Sequence, residues 1–161
     1  MSKHEFPSIT TPWPLAQRPG FLIRRLHQIH VALFSELCAE FGVTPVQYSL
    51  LSALAARGKA DQSTIAADVG LDRTTTAETL RRLANRGLVS REVSKEDRRA
   101  RLCRLTPSGR TTLRQMEAPV REAHRATVAV LSQAEQHVLL SLLIKAINAN
   151  AEKVGSAEDL S

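Results

Sequence analysis

Two short helical segments stand four residues apart in the middle of the chain, and each carries its own start and stop. Asp61 precedes Ser63–Val69, which Gly70 ends; Asp72 precedes Arg73–Arg86, which Gly87 ends. An Asp side chain accepts from the free amides of a first helical turn, and a Gly takes the left-handed conformation that closes a last one. Two short helices joined by Val69-Gly70-Leu71-Asp72, a turn built on glycine, are the pattern of a helix-turn-helix.

The residues after Gly87 change period. Leu88, Val89, Arg91 and Val93 read as a strand, 94–100 as a polar and densely charged tip, and Arg101–Leu105 as the return strand. Charge becomes informative when it is located. The chain has 22 Lys+Arg against 16 Asp+Glu, a formal net charge of +6. Residues 57–110 hold 13 of the basic and 7 of the acidic groups, so they carry the whole excess and the rest of the chain is neutral. A localised basic segment points to a polyanion, most simply nucleic acid. The 4% aromatic content argues against a single-strand or RNA stacking surface, and the 43% apolar content against a disordered basic protein.

Helix-turn-helix followed by a basic hairpin and another helix makes a winged helix-turn-helix: a mainly α fold with a small β-wing. In such a module the second helix enters the major groove leading with its N-terminal residues, here Arg73, Thr74, Thr75, Thr76 and Glu78. Arg can pair with guanine, and a Thr methyl can meet that of thymine. Ser63 joins these as a contact from the first helix of the pair. Arg81, Arg82 and Arg86 are expected at phosphate or solvent. Lys95, Arg98, Arg99, Arg101 and Arg104 can reach phosphates from the hairpin. Asp97 either pairs with a nearby Arg to shape the tip or, with Glu96, is a turn residue and nothing more.

The flanks are helical. Residues 1–20 contain Pro7, Pro12, Pro14 and Pro19 and read as an extended arm, with Pro19-Gly20 a turn. Leu22, Leu26, Ile29, Leu33 and Leu37 recur at helical spacing over 21–41; His27, His30, Phe34 and Cys38 lie in a second row beside them. Gly42 ends that helix, and Thr44-Pro45-Val46-Gln47 is a capping box opening the next, to about Gly58. Thr106-Pro107 opens a long stretch in which Pro119 is expected to kink or break the helix. Ser132-Gln133-Ala134-Glu135 caps a last helix that frays after Val154.

Several chemistries are absent from the sequence. Cys38 and Cys103 have no metal or redox spacing. No leader pattern opens the chain and no apolar run approaches a membrane span, so a cytoplasmic protein is expected. No phosphate loop, nucleophile elbow or credible acid pair is present, and Ser108 with His124 is an arbitrary pairing; neither an enzyme nor a cofactor is expected.

The run Asp97-Arg98-Arg99-Ala100-Arg101-Leu102-Cys103-Arg104-Leu105-Thr106, followed by Gly109, resembles the wing signature of MarR-type regulators, from its Asp-x-Arg start to its Leu-Thr-x-x-Gly end. The likeness extends over Gln62–Arg91, including Leu71-Asp72-Arg73-Thr74-Thr75, and over the flanking helices, about residues 20–150 in all. It implies a homodimer with interlocked terminal helices and a pseudo-palindromic double-stranded DNA operator. The corresponding organisation is an arm (1–20), dimerisation and ligand-pocket helices (21–58), a winged module (59–106), C-terminal dimerisation helices (107–154) and a disordered tail (155–161). Arg18–Gln28 is similar to repressors of aromatic-acid degradation, the nicotinate-pathway repressors among them. That resemblance implies a small aromatic acid effector, 6-hydroxynicotinate or a hydroxycinnamate derivative first. Trp13, Arg18, His27, His30, Phe34 and Tyr48 are the candidate pocket, with Arg18 or a histidine on the carboxylate and Phe34 and Tyr48 sandwiching the ring. A His on an apolar helix face is equally a satisfied core or interface residue. Zinc held by His27, His30 and His124, peroxide sensing through Cys38, and a ligand-independent DNA binder are the alternatives.

Overall fold

A computed structural model of the chain describes residues 13–94 and 101–158, with side chains described to residue 150. Helix α1 (Pro19–Leu37) begins at the proline that reads as a turn, because a proline's fixed φ suits the first helical position and Arg18 before it is extended. It also ends early. Cys38 leaves the helix, Ala39–Phe41 tighten into a 3-10 turn, and Gly42 takes the left-handed conformation at φ +55°. Thr44 then caps α2 (Pro45–Arg57) through a reciprocal box: its hydroxyl accepts from the Gln47 amide at 3.2 Å, and the Gln47 side chain accepts from the Thr44 amide at 3.1 Å.

The two Asp caps close as their positions demand. Asp61 accepts from the Thr64 amide at 2.9 Å and starts α3 (Gln62–Val69); Asp72 accepts from the Thr75 amide at 2.8 Å and starts α4 (Arg73–Asn85). Gly70 is left-handed between them, at φ +65°. The paired side chains of Arg57 and Asp68 tie the end of α2 to α3.

Strands β2 (Val89–Val93) and β3 (Arg101–Leu105) pair antiparallel with Val89 opposite Leu105 and Val93 opposite Arg101. A two-residue strand, β1 (Ala60–Asp61), adds to the other edge of β3 to give the order β1-β3-β2. Two residues carry no readable alternation, so only the pairing reveals β1. Phe34, Leu50, Leu51, Leu54, Ile65, Leu80, Leu83 and Met116 form the buried centre, so the recognition-type helix α4 is anchored through Leu80 and Leu83.

Helix α5 (Pro107–Thr127) runs through Pro119 without a break. Met116, Val120 and Ala123 are buried on one face across that proline. Burying a large side chain contributes about 1.5–3 kcal/mol, so together they offset the roughly 3 kcal/mol cost of an interior proline. At its start α5 passes directly against the backbone of Leu88: a Cβ on Gly109 would stand 2.0 Å from the Leu88 carbonyl oxygen. Thr106 locks this crossing, its hydroxyl donating to the Gly87 carbonyl at 2.6 Å and accepting from the Gly109 amide at 2.9 Å.

The chain divides into two compact units, one ending at His124 and one beginning at Arg125. In the second, Ser132 and Glu135 form a capping box ahead of α6 (Gln133–Glu158). The backbone of α6 continues to Glu158, beyond Val154, where fraying is expected from the sequence. No described helix is long and apolar enough to cross a membrane.

Candidate nucleic-acid interface and ligand pocket

At 100° per residue, Thr76, Leu80 and Leu83 share one side of α4, and all three are buried. The opposite stripe is Thr74, Glu78, Arg81 and Asn85, flanked by Thr75 and Arg82, and every one of these is exposed. Arg73 opens the helix and is exposed as well. Thr76 therefore does not contact a base. It is fully buried, and its hydroxyl donates to the Asp72 carbonyl at 2.9 Å. Composition does not separate Thr76 from Thr74; the phase set by Leu80 and Leu83 does. Asn85 is a position the sequence reading passed over, although its spacing from Glu78 and Arg81 places it on the stripe.

The cations divide into committed and available groups. Arg82 pairs with Glu78 at 2.6 Å, and Arg104 spans the wing to Glu92 at 2.7 Å and Ser90 at 3.2 Å. Arg86 is exposed but also committed within the chain: it donates to the Gly42 and Phe41 carbonyls at 2.6 and 2.7 Å. Arg73, Arg81 and Arg101 are exposed with no carboxylate partner among the described residues. Ser63 is exposed in the first turn of α3. Hydrogen bonds from the Thr75 side chain and backbone hold the Asp72 carboxyl below the usual carboxylate range, so the cap stays ionised at neutral pH. Lys95, Arg98 and Arg99, with Glu96 and Asp97, lie outside the described residues.

A second constellation joins α1, α2 and α5. The His30 ring stacks on His124 with centroids 4.7 Å apart and planes at 26°. Phe34 meets His30 edge-on at 6.0 Å, and Tyr48 meets Phe34 edge-on at 5.9 Å. Burial, reinforced by His124 and His27, lowers the His30 pKa below that of a free imidazole. Phe34 and Tyr48 cannot sandwich a ligand ring, because they pack on each other and Phe34 is buried. Trp13 and Arg18 do not join the cluster within one chain. Arg18 donates to the Trp13 carbonyl at 3.0 Å, and at about 1.5 Å per residue it lies roughly 18 Å along the helix axis from His30. His124 is the member that the pocket reading lacked.

The MarR family model matches residues 43–100. Over 154 residues the chain is 29% identical to the HTH-type transcriptional repressor NicR of Pseudomonas putida, covering 93% of this chain and 98% of that one. It superposes with a TM-score of 0.78 and 37% identity on the Streptomyces coelicolor PcaV transcriptional regulator in complex with its natural ligand, over 84% of this chain and 96% of that one. The chain belongs to the MarR family. A structure concerned with the regulation of DNA binding of Bordetella bronchiseptica BpsR by 6-hydroxynicotinic acid matches with a TM-score of 0.78 and 29% identity, over 84% and 96% of the two chains.

As a MarR-family member the chain is a DNA-binding transcriptional regulator and not an enzyme. The Leu-Thr-x-x-Gly end of the MarR-type wing has a physical reason here, in the Thr106 bridge and the Gly109 crossing over Leu88. Among the described residues no group of three or more His, Cys, Asp or Glu side chains is placed to hold a metal ion. Burial and Glu40 push the Cys38 thiol up, opposite to the depressed pKa that peroxide sensing needs.

Proposed function

We propose that the protein is a dimeric repressor that leaves a pseudo-palindromic operator when a small aromatic acid binds against the His30–His124 pair. The observation that carries this reading is the chain of rings linking α1, α2 and α5 beside a helix-turn-helix whose outward stripe is exposed. Arg73, Thr74, Thr75, Glu78 and Arg81 face the major groove, while Ser63, Arg101 and the wing residues Lys95, Arg98 and Arg99 hold the backbone. Leu22, Ile23 and Ile29 of α1, together with Leu140, Leu142 and Ile144 of α6, expose apolar surface of the kind a second copy covers. Two recognition helices then stand one helical turn apart, about 34 Å.

A carboxylate requires donors, and His27, His30 and His124 supply imidazole N–H groups, while Tyr48 adds an aromatic flank. Arg18 and Trp13 contribute only from the partner's arm or after the arm refolds. 6-Hydroxynicotinate is the first candidate, supported by the BpsR and NicR likenesses. Release follows only if the ligand binds one arrangement of the modules better than the other.

Fluorescence anisotropy on the promoter fragment next to the protein's own gene tests this. Specific binding, reversed by 6-hydroxynicotinate or a hydroxycinnamate, is expected, with stabilisation of about 2.7 kcal/mol at a hundredfold excess over Kd. Equal affinity for unrelated DNA, or release unaffected by His30→Ala, overturns the reading.

A further inference from the structure

A separate cavity of about 300 Å³ lies where the end of α2, the end of β3 and the start of α5 meet. Leu54 and Ala55 come from α2, Leu105 is the last residue of β3, and Leu113 comes from α5. Leu54 and Leu105 are buried, so this floor is apolar and fixed. Arg110 and Arg114 line the same cavity one helical turn apart and are exposed. An Nη of Arg110 donates to the Leu105 carbonyl at 3.0 Å, and an Nη of Arg114 donates to the Thr111 hydroxyl at 3.3 Å. Each guanidinium has five N–H donors, so most remain available. Neither has a carboxylate partner among the described residues.

We propose that this cavity binds a small organic carboxylate with a compact apolar body. Its carboxylate lies across Arg110 and Arg114, and its body rests on Leu54, Leu105 and Leu113. Two unneutralised guanidiniums select an anion, and Arg favours the planar, two-oxygen geometry of a carboxylate. The leucine floor selects against an inorganic anion, which would lose hydration against it without gaining partners. The volume stands at the low end of the roughly 300–1,000 Å³ of small-molecule sites, which limits the body to a single ring or a short chain. The site is distinct from the ring cluster: no residue is shared, and His124 is about 15 Å further along α5 than Arg114 at 1.5 Å per residue. A ligand here touches Leu105, whose carbonyl Arg110 already holds, so occupancy acts at the root of the wing.

The test uses full-length protein with labelled leucine methyls, titrated separately with benzoate, cyclohexanecarboxylate and inorganic phosphate. Saturable shifts of the Leu54, Leu105 and Leu113 methyls are expected with both carboxylates and not with phosphate. Arg114→Gln and Arg110→Gln should each weaken them by about tenfold or more, the equivalent of a charged hydrogen bond. His30→Ala should leave them in place, which separates this site from the proposed effector pocket and lets either fail alone. Leu113→Trp, which fills the cavity and keeps both arginines, should abolish the shifts even if an arginine variant folds poorly. No saturable shift, shifts indifferent to the arginine and tryptophan variants, equal shifts with phosphate, or loss in His30→Ala overturns the proposal.

Discussion

Arg86 closes α4 by donating across the molecule to the carbonyl of Gly42, 2.6 Å away, and to that of Phe41 at 2.7 Å. The two residues stand 44 positions apart in sequence. The contact pins the C-terminal end of α4 to the corner where α1 gives way to α2. Both ends of α4 are thereby fixed: Asp72 caps one, and Arg86 ties down the other.

Arg86→Ala is therefore expected to lower stability by about 1–2 kcal/mol, the worth of two charge-assisted bonds discounted for exposure. In a chain of this size that is a fall in Tm of roughly 2–8 °C, read at fixed protein concentration because self-association makes Tm concentration-dependent. Lys has one compact ammonium where Arg has a fork, so Arg86→Lys should recover less than half. An unchanged melting curve for Arg86→Ala would show that the contact does not hold the helix.

Arg73 and Thr76 should separate cleanly. Thr76→Val removes a buried hydroxyl bonded to the Asp72 carbonyl and should destabilise by about 1 kcal/mol while leaving base preference intact. Arg73→Ala should do the reverse, leaving Tm unchanged, weakening the operator by about 1–3 kcal/mol and relaxing preference at one position. Binding measured over a set of single-base operator variants, beside melting curves, distinguishes the two. Arg101→Ala should weaken all sequences alike and reduce the salt slope by about one. A sequence-selective loss for Arg101→Ala would place it at a base.

Gly109→Ala should fail at the level of folding. The added Cβ would stand 2.0 Å from a backbone oxygen of Leu88, and backbone on both sides leaves no flexible atom to give way. A loss of about 3 kcal/mol or more is expected, at the upper end of overpacking costs. Thr106→Val, which removes the bridge and keeps the space, should cost about 1–2 kcal/mol. Chemical denaturation of both variants checks the order; a Gly109→Ala variant as stable as Thr106→Val would mean that α5 can slide off Leu88.

What the sequence makes legible here is what is local. Asp61, Asp72, Gly42 and Gly70 act within a turn of their own position, so the helix pair and its limits follow from residue chemistry. The wing strands follow from alternation, which is local too. Thr76 reads like Thr74 in sequence, because its burial is set by Leu80 and Leu83 packing on another part of the chain. Arg86 reads as one more surface cation until its partners, 44 and 45 residues away, are known. His124 joins the ring cluster only because α5 returns beside α1. The wing-root cavity has no motif at all, since α2, β3 and α5 supply its walls separately.

His30 gives a prediction in which stability and ligand binding move in opposite directions with pH. Its folded pKa lies below the unfolded value of about 6.5, mainly through burial and then through His124 and His27. The folded state prefers the neutral ring, so this contribution is fully present above pH 6.5 and is lost as pH falls through the lowered value. The Tm difference between the protein and His30→Gln should narrow on acidification across that window. A carboxylate beside the ring favours the protonated form and opposes the burial effect, so aromatic-acid binding should take up protons near neutral pH and tighten as pH falls. Calorimetry in two buffers of different ionisation enthalpy reads that uptake directly. Binding without proton uptake would place the carboxylate away from His30 and shift the donor role to His27 or to Arg18 of a second copy.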